Sequence, residues 1–277
     1  MSSRELRAAF AAAAADGRAA LVPYLVCGRP DATGTAELVR QAAAAGADIV
    51  ELGVPFSDPL ADGETIRNAT RRALDGGMTV AGCLEVVRLV RAAGETVPIV
   101  LMGYINPLAA YGLERFCDDA AASGVDGLIV PDMPLEESGE LLAHATRTGL
   151  GMTFLVTPVT GDARITQLAA ASTGFLYCVA TTGTTGARDD VDPRTVDLLD
   201  RVRGLAGDTP FAVGFGVSTP AHVAALAPHA GGVIVGSALV ALIERDAAAF
   251  PARVGELVAM ATRARRGLAV DAASMWP

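Results

Sequence analysis

Three acids fall close together in one stretch of the chain. Glu51 sits inside the apolar run Ile49-Val50-Glu51-Leu52, and Asp58 and Asp62 follow in the loop Gly53-Val54-Pro55-Phe56-Ser57-Asp58-Pro59-Leu60-Ala61-Asp62-Gly63. A carboxylate in an apolar run is costly to bury unless it is partnered. Desolvation raises its pKa, which suits a proton donor or an adaptable acid/base near neutral pH. A structural carboxylate paired to a backbone group or a cation fits the same run equally well. Asp58-Pro59 and Asp62-Gly63 each carry a turn signature. Together with a glutamate on the preceding strand, they also let one buried acid and one mobile base meet over a substrate.

A second group is rich in glycine and lies late in the chain: Thr181-Thr182-Gly183-Thr184-Thr185-Gly186, Gly214-Phe215-Gly216-Val217-Ser218 and Gly236-Ser237. Small residues let backbone N–H groups approach a phosphate, and a helix starting after Ser237 would point its positive end at it. Tight turns are the plainer reading of any one of these steps. Aromatic residues make up only 5% of the chain, so the positions of Tyr24, Tyr104, Tyr177 and Phe215 carry information. They could wall a flat apolar ligand or simply pack a core. Lysine is absent, which excludes Schiff-base aldolase chemistry and a covalently held pyridoxal cofactor in this chain. Cys27, Cys83, Cys117 and Cys178 are widely spaced, and with three histidines they form no metal-ligand pattern, so no metal site is expected.

The elements that would hold these residues follow one pattern. A helical stretch ends at a glycine and a short β-branched run follows, as at Gly46, Gly124 and Gly231. Apolar runs without polar alternation suit strands buried on both faces of a parallel sheet. Eight such runs are present: Ala20–Val26, Ile49–Leu52, Ile99–Gly103, Gly127–Val130, Met152–Thr157, Phe175–Val179, Phe211–Gly214 and Gly232–Val235. Helical stretches separate them: Thr35–Ala45, Thr65–Leu74, Val80–Ala93, Leu113–Ser123, Leu135–Thr148, Ala163–Ala171, Arg194–Leu205 and Pro220–Leu226. This alternation predicts a single α/β domain over residues 1–277, a (β/α)8 TIM barrel with an extra N-terminal helix; a doubly wound open sheet is the alternative. In such a barrel chemistry sits at the C-terminal ends of the strands, where the acids and the glycine steps fall.

Composition bounds the remaining possibilities. The chain has 277 residues, 51% of them hydrophobic, and a formal charge of −9, with a mean hydropathy of +0.39. That is enough apolar material for a large core, and it excludes a disordered chain. The acidic balance disfavours nucleic acid and anionic membranes as partners. Much of the hydrophobicity is alanine, and no run is apolar enough to span a membrane. The alanine-rich start after Arg4 and Arg7 imitates a signal peptide, but Asp16-Gly17-Arg18 follows it, so an amphipathic helix is expected there. Reduced, packed cysteines in a cytoplasmic protein complete this reading.

The stretch Val50–Gly63 resembles the signature of the tryptophan synthase alpha chain family. The likeness extends through Met102-Gly103-Tyr104-Ile105-Asn106-Pro107, Gly124–Asp132 and the Gly-Phe-Gly and Gly-Ser steps. It implies a (β/α)8 barrel that cleaves indole-3-glycerol phosphate to indole and glyceraldehyde 3-phosphate. It further implies Glu51 and Asp62 as the catalytic pair, with Tyr24, Tyr104, Tyr177, Thr185 and Phe215 against the substrate. Gly186, Gly216, Gly236 and Ser237 match the phosphate side. The implied assembly is an α2β2 heterotetramer with a beta chain that carries the pyridoxal phosphate, none being held here. Asp58, Asn106 and Pro134 fall where the partner would touch. Two departures stand out. Glu64 and Arg67 replace the family's usual proline and glutamine, and the segment Ala180–Gly186 lacks the arginine usual in the sixth loop. The second departure motivates one alternative, a stand-alone lyase releasing free indole; a mainly regulatory alpha-like chain is the alternative from another class.

Overall fold

The computed structural model describes residues 2–180 and 191–265. Nine parallel strands form one sheet: β1 (Ala20–Val26), β2 (Val50–Gly53), β3 (Ile99–Met102), β4 (Gly127–Ile129), β5 (Gly151–Thr153), β6 (Leu155–Val156), β7 (Leu176–Val179), β8 (Phe211–Gly214) and β9 (Gly232–Val235). Their order is β5-β4-β3-β2-β1-β9-β8-β7-β6. The two outer members, β5 and β6, are consecutive in the chain and separated by Phe154 alone. The Gly174 N–H donates to the Met152 carbonyl at 3.0 Å and the Tyr177 N–H to the Phe154 carbonyl at 2.9 Å. The broken strand thus bonds β4 on one side and the β7 segment on the other, and the sheet rolls into a nearly closed barrel. The single strand expected over Met152–Thr157 is divided because side chains claim its amides. Met152 N–H donates to Thr173 Oγ1 at 2.8 Å and Phe154 N–H to Ser172 Oγ at 3.2 Å, in place of ladder bonds.

The crossovers are helical. The helix expected over Leu135–Thr148 breaks at Ser138 into a 3-10 turn, Leu135–Glu137, and a helix, Gly139–Thr148. The Ser138 hydroxyl donates back to the Leu135 carbonyl at 2.7 Å. Two further helices, Ile105–Tyr111 and Phe250–Arg265, join those read from sequence. Caps start several of them: Asp31 accepts from Gly34 N–H at 2.8 Å ahead of Ala32–Ala44, and Thr79 from Gly82 N–H at 3.1 Å ahead of Val80–Ala92.

Strand alternation separates two cores. Ala20, Val22, Tyr24 and Val26 of β1 point inward, where they meet Ile49, Val100, Ile129, Tyr177 and Ile234. Leu21 and Leu25 point outward against the helices, with Leu38, Val39 and Leu52. Burial on both faces explains why the strands read as unbroken apolar runs. The N-terminal helix, Ser2–Ala15, closes the lower end of the barrel by sending Leu6, Phe10 and Ala13 into the inner core, with Phe10 against Phe175 at 5.4 Å between ring centroids.

Acids tie the strand starts together. Asp48 accepts from Leu21 N–H at 2.8 Å and from both terminal nitrogens of Arg18 at 2.5 and 2.7 Å. Asp126 accepts from Ile99 N–H at 2.8 Å and from Arg91 at 2.9 Å.

Candidate active site

At the opposite end, the strand C-termini surround a cavity of about 390 Å³. Its wall is assembled from Tyr24 of β1, Glu51 of β2, Met102 of β3, Tyr177 of β7 and Ile234 of β9. Asp62–Ile66 follow β2, Phe215–Val217 follow β8, and Gly236 and Ser237 follow β9.

Glu51 lies between Tyr24 of β1 and Val100 of β3 in register, so its side chain shares their inward face. It is 1% exposed, and neither carboxylate oxygen has a hydrogen-bond partner among the described residues. Burial first, then the negative charge of Asp62, push its pKa up to about 8. Glu51 therefore holds its proton at neutral pH.

Asp62 is placed by the loop after β2 and by Tyr104 at the end of β3. The Ala61 N–H donates to the Tyr104 oxygen at 2.9 Å, and the Tyr104 hydroxyl donates to Asp62 Oδ2 at 3.3 Å. The Phe56 ring packs on Tyr104 at 5.6 Å. Burial lifts Asp62 to about 6, while the Tyr104 bond and the Arg67 cation pull the other way. Two carboxyls facing one cavity are thus set apart: Glu51 is neutral and Asp62 is charged at pH 7. Tyr104 stands behind Asp62 rather than on the cavity wall, unlike the other aromatic candidates.

Two glycines make room for the tyrosines. A β-carbon on Gly53 would lie 2.0 Å from the Tyr24 hydroxyl, and one on Gly214 would lie 2.1 Å from that of Tyr177. Both phenols are raised above their ordinary range, chiefly by burial and then by the nearby carboxylates, so they stay neutral. Phe215 adopts a left-handed φ of 63°, rare for a non-glycine residue, and meets Tyr177 edge-on at 5.4 Å. Such a conformation costs on the order of 1–3 kcal/mol and persists only where its surroundings hold it.

The same cavity also carries backbone donors. The helix Ser237–Asp246 begins at the cavity, and its N-cap, Gly236, brings no side-chain cap. Its first N–H groups and its positive end are available to an anion. Gly216 lines the cavity as well. Thr185 and Gly186 lie outside the described residues.

Asp58, Asn106 and Pro134 are exposed and stand after β2, β3 and β4, on the strand-end face but outside the cavity. Beside Asp58, Leu60 is 91% exposed. Thr65, Ile66, Val217 and Ile234 were not singled out in the sequence, and Glu64 was noted only as a departure; all five line the cavity. For Ile234 the inward alternation was the available signal. Among the described residues no group of three or more His, Cys, Asp or Glu is placed to hold a metal ion. No described helix is long and apolar enough to cross a membrane.

Known structures share this architecture. Tryptophan synthase from M. tuberculosis, in its open form with BRD0059 bound, superposes with a TM-score of 0.84 at 37% identity, covering 93% of this chain and 98% of that one. The tryptophan synthase alpha subunit from Legionella pneumophila gives 0.82 at 31% identity, over 95% of this chain and 99% of that one. The family model for the tryptophan synthase alpha chain matches residues 10–267. The chain belongs to the tryptophan synthase alpha chain family. The alpha chain of Chloroflexus aggregans is 50% identical over 236 residues, 85% of this chain and 88% of the relative. That of Roseiflexus sp. is 48% identical over 259 residues, 94% and 97% of the two chains. Tryptophan synthase alpha chains are lyases, and the pyridoxal phosphate of tryptophan synthase resides in the beta chain.

Proposed function

We propose that this chain cleaves indole-3-glycerol phosphate to indole and glyceraldehyde 3-phosphate in tryptophan biosynthesis, with Glu51 and Asp62 as its catalytic groups. One observation carries the assignment of roles: an unpartnered, protonated Glu51 carboxyl shares a cavity with an ionised Asp62.

The chemistry follows from the substrate. The bond between indole C3 and the glycerol carbon breaks only when C3 becomes tetrahedral, so the acid step is protonation of C3. Glu51, neutral and desolvated, donates that proton. Positive charge then develops on the indole nitrogen, and the Asp62 carboxylate stabilises its N–H. Glu51, now a carboxylate, takes the proton of the adjacent glycerol hydroxyl. That oxygen becomes the aldehyde, the C–C bond breaks, and its electron pair restores the aromatic ring. The proton delivered to C3 equals the one removed from the hydroxyl, so Glu51 ends the cycle protonated.

Binding groups divide by chemistry. Tyr24, Tyr177, Phe215, Met102 and Ile234 supply an apolar slot suited to the indole. Gly216, Gly236 and Ser237, with the N–H groups of the helix Ser237–Asp246, hold the phosphate; Gly186 is assigned to this end, and Thr185 to the substrate, from the family motif. The cavity wall contains no cationic side chain among the described residues, so backbone dipoles carry this task.

One domain carries the whole site. Its partner is a tryptophan synthase beta chain, in an α2β2 assembly that docks on the face bearing Asp58, Asn106 and Pro134, where Leu60 offers an apolar contact. The enzyme is assigned to the cytoplasm; its four free, buried cysteines suit a reducing compartment. The test is release of glyceraldehyde 3-phosphate from indole-3-glycerol phosphate, followed by a coupled dehydrogenase, with and without a beta chain. Stimulation by the beta chain supports the subunit role. Strong activity alone with no stimulation supports a free-standing lyase, and no cleavage in either case overturns the lyase reading.

A further inference from the structure

The turn after β8 brings Gly216 and Val217 to the cavity, and its backbone is pinned from behind. Phe215 and Gly216 take successive left-handed φ values of 63° and 73°, and the chain then runs through Ser218 and Thr219 into the helix Pro220–Leu226. Two reciprocal bonds close this junction. His222 N–H donates to Thr219 Oγ1 at 3.2 Å, and Ser218 N–H donates to His222 Nδ1 at 3.3 Å. The arrangement is a variant of a capping box: an imidazole replaces the usual carboxylate or amide and takes the N–H one residue before the N-cap Thr219. Because Nδ1 accepts, the neutral ring carries its proton on Nε2. The ring is 4% exposed, and Nε2 has no partner among the described residues.

A buried imidazole with one nitrogen unsatisfied is an expensive way to fill space. What it secures is the path of the backbone. Ser218 N–H is consumed by His222, whereas the N–H groups of Gly216 and Val217, both on the cavity wall, take no partner among the described residues. On the far side, Ser218 and Thr219 line an adjoining cavity of about 380 Å³ together with Ser237, the first residue of the helix that faces the phosphate. The pinned turn and that helix start are therefore neighbours.

We propose that His222 is a positioning residue for the phosphate end of the site: its Nδ1 holds the turn so that the free N–H groups of Gly216 and Val217 stay aimed at the anion. This rests on the cleavage reading given above. His222 touches no reacting atom, so its removal weakens phosphate binding and leaves the chemical step in place.

The experiment compares the full-length wild type with H222L, H222N and H222Q. Cleavage kinetics are measured, and binding of glycerol 3-phosphate and of indole is followed separately by calorimetry. Asparagine places an oxygen where Nδ1 stands, whereas leucine and glutamine do not. The expected result for H222L and H222Q is an increase of about tenfold in both KM and the Kd for glycerol 3-phosphate, with kcat and indole affinity within about twofold. H222N is expected to return to within about threefold of wild type. If H222L does not fold, H222N against H222Q makes the same comparison between two polar side chains. Wild-type affinity for glycerol 3-phosphate in H222Q, or equal losses for indole and glycerol 3-phosphate, would overturn the role of His222. Failure of the wild type to cleave the substrate would instead overturn the cleavage reading.

Discussion

The two ends of this barrel bury the same kind of group and treat it in opposite ways. At the strand starts, Asp126 accepts from a backbone N–H and from Arg91, and Asp48 accepts from a backbone N–H and both arms of Arg18. At the strand ends, Glu51 has no partner among the described residues and is raised to about 8, and Phe215 is held in a strained conformation. Burial lifts Asp126 too, to about 6, but at the lower end the carboxylates have partners and hold strands together. The unsatisfied one at the upper end stores a proton where a substrate can reach it. Polar groups left unpaired in a folded core are tolerated where function needs them, so the contrast divides the molecule into a stability end and a chemistry end.

Substitutions at the two ends should separate rate from stability. Glu51→Gln is expected to have the largest effect, a loss of about 10³-fold in kcat. The same change should stabilise the fold at alkaline pH. Burial raises Glu51 in the folded state from the ordinary 4.5 to about 8, so the stability it contributes is full below about 4.5 and is lost as pH rises to about 8. The slope is roughly 1.4 kcal/mol per pH unit in that window. Thermal melts should show the variant ahead of wild type at pH 9, with the gap closing toward pH 5.

Asp62→Asn follows, with an expected loss of about 10²-fold in kcat. In the wild type the pair should give a bell-shaped kcat/KM profile with macroscopic limbs near 6 and 8, since Asp62 must be charged and Glu51 neutral. Tyr104→Phe removes a bond that lowers the pKa of Asp62, so the acid limb should move to higher pH. A loss of about tenfold in kcat at pH 6, shrinking by pH 8, is expected from stopped assays. The smallest effect on rate belongs to the other end. Asp126→Asn should cost about 1–2 kcal/mol in chemical denaturation, because it loosens Arg91 and Ile99 while relieving the burial that lifts Asp126 to about 6, and kcat/KM per folded molecule stays at the wild-type value. A rate loss there as large as at Tyr104 would erase the division.

Much of this was legible in the residues. The acid in Ile49-Val50-Glu51-Leu52 stands out because the run around it is apolar, and the strand assignments hold because two-sided burial leaves unbroken apolar runs. The role of Tyr104 was not legible as it stands. Its hydroxyl reaches Asp62 across 42 residues of sequence, and only closure of the barrel brings the two together. Gly53 and Gly214 read as ordinary strand-end glycines. That each must lie beneath a tyrosine hydroxyl depends on which face of the strand points inward. The break at Phe154 was hidden because Thr173 and Ser172, two local competitors for strand amides, sit some twenty residues away. The helix Ile105–Tyr111 is short and contains Pro107, so it carries little periodic signal.

Glu51 keeps its proton at neutral pH because it is buried near the charge of Asp62 with no hydrogen-bond partner among the described residues. Carbon-13 NMR of the glutamate side-chain carboxyls, with Glu51→Gln to assign the signal, follows that proton directly. The account predicts a midpoint near 8. A midpoint near 4.5, the ordinary glutamate value, would show a charged Glu51 at pH 7 and contradict it.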